Sequence, residues 1–505
     1  MPFSISRRDL LAASTALAIA FPAAGALASE GSAKNVILFV ADGASWGAYD
    51  MASYWEFGEL GRQPYDSFGV KLGMTTEPFG APAYDPAAAW DTTPTGDDDF
   101  FEGYKRIKQN ATGSAAAGTA LATGQKTLNG RVNVDPDGEP LRFATQDMKD
   151  AGKSTGVVTS VFFSHATPAV FGAQNISRND YHDIADQMIN GGTLDLIMGG
   201  GHPDFDDEGA PRTDDDGNPV QEFDAISKAD WDALNGPDAP MTLIETKEQF
   251  EQLADGTLTV DGRLMGVPQI NETLQANRSP FTTPLDPTAP GTPNLGFPTG
   301  HELLPTVPSL ATMTTGALNH LGKDEDGLFL MVEGGAIDWM AHANATGRLI
   351  EEMIDFNHSI GAAVDWVDAK SSWDETLMIV LTDHGNGALM GPDSDTIPFQ
   401  PIVNNGAGVL PGFQWHSGSH TTENTLLWAH GAGSELFYDY VLGTDFGLTD
   451  VLGFNDGSYV DNTAVASVMS RAAGVTAPIP LPAGVWLLGA GLAALGLARR
   501  RTARA

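Results

Sequence analysis

Five short stretches of this chain are strongly apolar and then stop at a small or acidic residue. They are Asn35–Gly43 (NVILFVADG), Ser154–Phe162, Leu194–His202, Gly327–Ala336 and Thr376–Gly385. A strand with one wet face alternates apolar and polar residues; unbroken Val, Ile and Leu indicate strands buried on both faces. Helical patterns lie between them, at Ala111–Thr123, Asp180–Gly191 and Ala343–Val367. This alternation predicts an α/β fold, a three-layer α/β/α sandwich around a large, mostly parallel central sheet. The irregular, Pro-, Gly- and Asp-rich pieces near 77–103, 203–222 and 279–300 read as surface insertions on one domain. In such sheets chemistry collects beyond the carboxyl ends of the strands. Three of the runs end there in Asp42, Glu333 and Asp383-His384.

The termini read differently from the body. MPFSISRRDLLAASTALAIAFPAAGALASEG carries the pair Arg7-Arg8, an apolar run and the small-residue site Ala26-Leu27-Ala28. Residues 1–28 therefore resemble a twin-arginine export signal. At the other end, an apolar run at Gly484–Ala498 precedes Arg499–Arg501. That is short for a transmembrane helix, which needs about 20 residues. With Pro480-Leu481-Pro482-Ala483 before it, 478–505 resembles a carboxy-terminal sorting tag, with a plain membrane anchor as the second reading. The body is thus 29–477, and the expected location is periplasmic or at the cell surface, with membrane contact through the C-terminal segment.

Charge and cysteine content exclude whole classes of function. The 505 residues include 65 acidic and 27 basic ones, a net charge of −38, and no cysteine. Nucleic acid needs a positive footprint and is excluded as a specific partner. Disulfides, thiolate metal sites and cysteine nucleophiles are excluded with it. The runs Asp97–Asp99 and Asp214–Asp216 read as solvated loops.

Taken one at a time, the charged strand ends have ordinary readings. Asp42-Gly43 could be only a turn, and Glu333 could be one half of an ion pair. Asp338 and His342 stand at i and i+4, on the same side of a helix, a spacing that can hold one metal ion. His420 leads into another apolar stretch. Together these residues form an oxygen-and-nitrogen donor set that suits zinc, or magnesium where oxygens dominate.

Six segments in order, from about residue 34 to 435, resemble the motifs of the alkaline phosphatase family: NVILFVADG, TGSAAAGTALATGQKTLNG, HATPAVFGAQNISR, VEGGAIDWMAHAN, LTDHGNG and SHTTEN. The resemblance implies a phosphomonoesterase with Ser114 as nucleophile, a phosphoserine intermediate and Arg178 as the substrate-binding cation. It implies two Zn2+ and one Mg2+. Asp338, His342 and His420 would hold one zinc; Asp42, Asp383 and His384, completed by Ser114, the other; Asp42, Thr167 and Glu333 the magnesium. His165 and Trp339 would stand in the outer shell, and His416 is the alternative to His420. Small-molecule phosphate monoesters are the expected substrates and a homodimer the expected assembly. A phosphodiesterase of the same superfamily and a noncatalytic, metal-stabilised surface protein are the alternatives.

Two positions depart from the family pattern. Gly113 stands where relatives often have an aspartate partner for the arginine, which predicts a less rigidly held Arg178. Trp339 stands where lysine or histidine is familiar. Trp415 is expected either at the mouth of the site or in the core.

Overall fold

The computed structural model describes residues 31–280 and 298–475. The expected export signal, the C-terminal segment and most of the 279–300 insertion lie outside the described residues. No helix among them is long and apolar enough to cross a membrane.

Eleven strands form one sheet. In chain order they are β1 (Asn35–Val40), β2 (Val70–Thr75), β3 (Ser154–Phe162), β4 (Leu196–Gly200), β5 (Thr242–Ile244), β6 (Leu264–Gly266), β7 (Leu328–Glu333), β8 (Thr376–Leu381), β13 (Thr425–Gly431), β14 (Gly443–Thr444) and β15 (Ser458–Asp461). The two-residue strands β9 (Gly385–Asn386), β10 (Leu389–Met390), β11 (Gln414–Trp415) and β12 (His420–Thr421) form two small ribbons beside it. The order across the sheet is β14-β15-β2-β13-β8-β1-β7-β3-β4-β6-β5. The run from β8 to β5 is parallel throughout; β13 is antiparallel to both its neighbours, and β14 to β15.

All five apolar runs became parallel strands, and the reason is visible in β1. Every residue of it is buried, with Ile37 and Phe39 in one core and Val36, Leu38 and Val40 in the other. The first core is closed by helices Trp46–Phe57, Leu310–Leu321 and Thr346–Lys370. The second is closed by Ser114–Thr123, Ala144–Asp150, Tyr181–Asn190 and Thr463–Ala473. A strand with cores on both faces has no room for a polar alternate.

The helix boundaries moved where backbone geometry intervened. Helix Ser114–Thr123 begins three residues later than the pattern suggested, because Gly113 is its extended N-cap (φ −108°, ψ 161°). The pattern at Ala343–Val367 corresponds to one helix, Thr346–Lys370, and a separate short helix, Ala336–His342, precedes it. Asn344, at φ 50°, breaks the chain between them; asparagine is among the few residues that tolerate that left-handed conformation. The sheet strands that periodicity did not place are β13, noted only as an apolar stretch, the three-residue β5 and β6, and the outer group β2, β14 and β15, which are short or mixed in pattern; the two-residue ribbon strands carry no periodic signal.

Register places the strand ends. Val40 of β1 pairs with Glu333 on one side and Leu381 on the other. Three adjacent parallel strands therefore end at one level, with Asp42, Glu333 and Asp383-His384 leaving the sheet together. The next strand, β3, turns there into the segment carrying His165 and Thr167.

Candidate active site

The charged residues gather in three groups, in each of which one ligand-type atom per residue lies within 4.8 Å of the others. These are Asp338, His342 and His420; Asp42, Asp383 and His384; and Asp42, His165 and Glu333. Asp42 belongs to two of them. All of the second and third groups is buried, whereas His342 of the first is exposed.

The first group has a geometry that demands a cation. Nδ1 of His342 donates to the Gly418 carbonyl (2.9 Å), and Nδ1 of His420 donates to the Thr112 carbonyl (2.7 Å). Each carbonyl accepts only, so the ring hydrogen sits on Nδ1 and each Nε2 carries a lone pair unless it takes a second proton. Those two Nε2 atoms face each other at 3.0 Å, with Asp338 oxygens 3.5 and 3.3 Å away. Converging lone pairs beside a carboxylate are stable only with a proton or a metal ion between them. Burial opposes ionisation of Asp338, but His420, with His384 and His342, outweighs it and holds the carboxyl well below the usual range. Asn386 supports the same carboxylate, its Nδ2 donating to Asp338 Oδ1 at 2.7 Å. Asn386 lies inside the LTDHGNG motif, which was its only signal in the sequence.

The second and third groups are charge-crowded and incompletely hydrogen-bonded. Asp42 Oδ1, Asp383 Oδ2 and Glu333 Oε1 are buried without a hydrogen-bond partner. Such groups cost about 1–3 kcal/mol each when nothing satisfies them. Burial pushes the Asp42 carboxyl well above its usual range, with Asp383 and Asp338 adding to the effect. Burial does the same to Glu333, with Asp42 adding to it, and brings Asp383 up to about 7. Burial and the neighbouring His420 hold His384 well below its ordinary value, so its Nε2 is a free donor atom. It lies 3.2 Å from Asp383 Oδ2 and 3.6 Å from Asp42 Oδ1. Thr167 Oγ1 donates to Asp42 Oδ2 (3.2 Å), and Thr159, which sequence reasoning did not single out, donates to Glu333 Oε2 (2.5 Å). Unpartnered carboxylate oxygens and lone-pair imidazoles facing one another fit divalent cations, and these residues fit the metals that the resemblance implies.

Ser114 stands at the start of its helix, 1% exposed, with Oγ 3.3 Å from His384 Nε2. A cavity of about 790 Å³ lies beside it, lined by the preceding Gly113 and by Asn129, His165, Arg178, Trp339 and His420 among others. Arg178 Nη2 donates to His165 Nε2 at 2.8 Å. The guanidinium is therefore tethered, contrary to the looser Arg178 expected from Gly113; a histidine thirteen residues upstream substitutes for a carboxylate beside the serine. Burial and the Arg178 charge bring His165 down to about 3, so its ring is neutral. With Nε2 accepting from Arg178, Nδ1 carries the hydrogen. It is then a donor, which suits an outer-shell position better than direct coordination.

His416 stands apart from all three groups. Its Nε2 bonds the Ser394 hydroxyl (2.7 Å) and its ring packs against Tyr104 and Phe100. Trp415 donates from Nε1 to Thr346 Oγ1 and covers Gly387, a core role and not a place at the cavity mouth.

Residues 33–407 match the family model described as alkaline phosphatase. The chain belongs to the alkaline phosphatase family. Alkaline phosphatase 3 of Bacillus subtilis (strain 168) is 32% identical over 304 residues, 58% of this chain and 54% of the relative. The chain thus spans about half the length of the curated relatives it matches first. Among solved structures, the alkaline phosphatase of the Antarctic bacterium TAB5 aligns at TM-score 0.55 and 21% identity, covering 89% of this chain and all of the other. The Thermus thermophilus alkaline phosphatase aligns at TM-score 0.57 and 22% identity, over 89% and 93%. At these identities the structural likeness is one of fold. A variant of the TAB5 enzyme was solved with magnesium bound.

Proposed function

We propose that this chain is an exported alkaline phosphatase that hydrolyses phosphate monoesters through a phosphoserine at Ser114. The observation that carries the reading is a buried serine hydroxyl against one of three adjoining donor groups, beside a cavity lined by the first donor group and by Arg178. Asp338, His342 and His420 hold one Zn2+; Asp42, Asp383 and His384 hold the second, next to Ser114; Asp42, Thr167 and Glu333 hold Mg2+, with His165 in its outer shell. When bound, these ions lower the proton affinity of the serine hydroxyl and neutralise charge on the attacking and leaving oxygens.

The chain's own residues do the rest. Ser114 Oγ attacks phosphorus and the alcohol leaves in line; water then cleaves the phosphoserine, releasing phosphate and restoring the hydroxyl. Ser114 begins a ten-residue helix whose N-terminal N–H groups favour an anion. Arg178 offers its planar fork to two nonbridging oxygens, and the His165 bond keeps that fork aimed. Burial of Asp42, Asp383 and His384 excludes water from the nucleophile's side. Assembly as a homodimer and location outside the cytoplasm belong to the same proposal.

Purified protein is expected to hydrolyse p-nitrophenyl phosphate, to lose activity in chelator and to regain it with zinc plus magnesium. Metal analysis should return two zinc and one magnesium per chain. Ser114→Ala should abolish turnover while keeping the metals; full activity in that variant would sink the mechanism. Faster turnover of bis-p-nitrophenyl phosphate than of the monoester would favour a phosphodiesterase.

A further inference from the structure

A second cavity, of about 480 Å³, adjoins the one beside Ser114. The two share His165 and Trp339 in their linings. Beyond those two residues the lining is aromatic and acidic: Phe162, Tyr181, Asp224, Asn271 and Glu272. Phe162 lies between the other two large rings, 5.0 Å from Tyr181 at 83° and 6.1 Å from Trp339 at 58°. No lysine or arginine lines this cavity among the described residues. Burial raises the Glu272 carboxyl above its ordinary range, and Asp207 and Asp224 add to it. The carboxylate has one side-chain partner, Asn277, whose Nδ2 donates to Oε2 at 2.7 Å.

Aromatic side chains and carboxylates lining one volume suit an organic cation, which ring quadrupoles and negative charge both attract. A hydrophobic pocket would not need the acids, and an anion site would not have them. We propose that this cavity is a leaving-group subsite for an alkylammonium group, so that the preferred substrates are phosphate monoesters of amino or quaternary-ammonium alcohols. The inference rests on the phosphomonoesterase reading, since it describes the alcohol half of that substrate. Arg178 and the helix N-terminus engage the phosphate in the first cavity, and the aromatic side chains past His165 and Trp339 engage the cation in the second.

The test uses two esters of the same shape, phosphocholine and 3,3-dimethylbutyl phosphate, which differ only in the positive charge. With the metal-loaded enzyme, kcat/KM should favour phosphocholine by about tenfold, the scale of one or two desolvated cation–π contacts. Glu272→Gln and Tyr181→Leu should each cut that ratio about threefold or more on the same basis. Asp214→Asn, on an exposed acidic loop, should leave it unchanged. A ratio near one in the parent protein, or a ratio that neither cavity variant alters, overturns the subsite. An equal fall in Asp214→Asn assigns the preference to the overall charge and also overturns it. Absence of turnover with p-nitrophenyl phosphate would instead mark failure of the phosphatase reading itself.

Discussion

At the scale of single residues, the choice between His416 and His420 turns on what each ring nitrogen faces. Both histidines lie in one short segment, and sequence favoured His420 only for the Thr-Thr-Glu that follows it. In the fold, β12 pairs with β9, the strand that follows Asp383-His384. That ribbon carries His420 over His384, ring centroids 3.7 Å apart, while His416 turns toward Ser394. The prediction separates the two roles. His420→Ala should lose one bound metal per chain and at least a hundredfold in kcat, beyond the tenfold to hundredfold typical of outer-shell changes. His416→Ala should keep the full metal content and lose only stability, about 1–2 kcal/mol for a buried hydrogen bond left unmade. Metal analysis and thermal melts on the two proteins would decide; loss of metal from His416→Ala alone would reverse the assignment.

At the scale of elements, helix Ser114–Thr123 explains its own composition. Its residues are small because its neighbours come close, among them helix Thr463–Ala473 and the segment Ala166–Val170 that carries Thr167. A Cβ on Gly118 would meet Val170 Cγ2 at 2.9 Å. Glycine to alanine within a helix ordinarily stabilises by about 1 kcal/mol. At Gly118 overpacking should win, lowering stability by about 1–3 kcal/mol, and activity should fall as Val170 shifts the neighbouring Thr167. Gly361, in helix Thr346–Lys370, is the contrast: a Cβ there meets only Pro64 Cγ at 3.6 Å, ordinary contact. Gly361→Ala should raise the melting temperature while Gly118→Ala lowers it. Two increases would mean that the close approach has no energetic weight. The smallness of this helix was plain in the sequence, but the partner that imposes it was not, because Val170 lies 52 positions further along the chain.

At the scale of the whole molecule, the net charge of −38 acts against the compact state by self-repulsion. Added sodium chloride, from 10 mM to 500 mM, shortens the screening length from about 30 Å to below 8 Å. Melting temperature should rise by several degrees over that range, and turnover of a dianionic ester should rise with it; a falling melting temperature would show that paired charges outweigh the excess. The sequence alone determined the sheet's heart, since strongly apolar runs have no other stable placement than between two cores. It also determined the donor types, through Asp42, Glu333, Asp338, Asp383 and the histidines near them. Tertiary structure alone decided which donors meet. Parallel register levels the ends of β8, β1 and β7, and the β9–β12 ribbon folds His420 back over His384. It alone gave Arg178 its tether in His165, where the sequence suggested only a missing aspartate at Gly113. It alone set an aromatic, acidic cavity beside the site, built from residues 162 to 339. Local pattern reports how each segment meets solvent; which segments meet one another is fixed by pairing and packing across hundreds of residues.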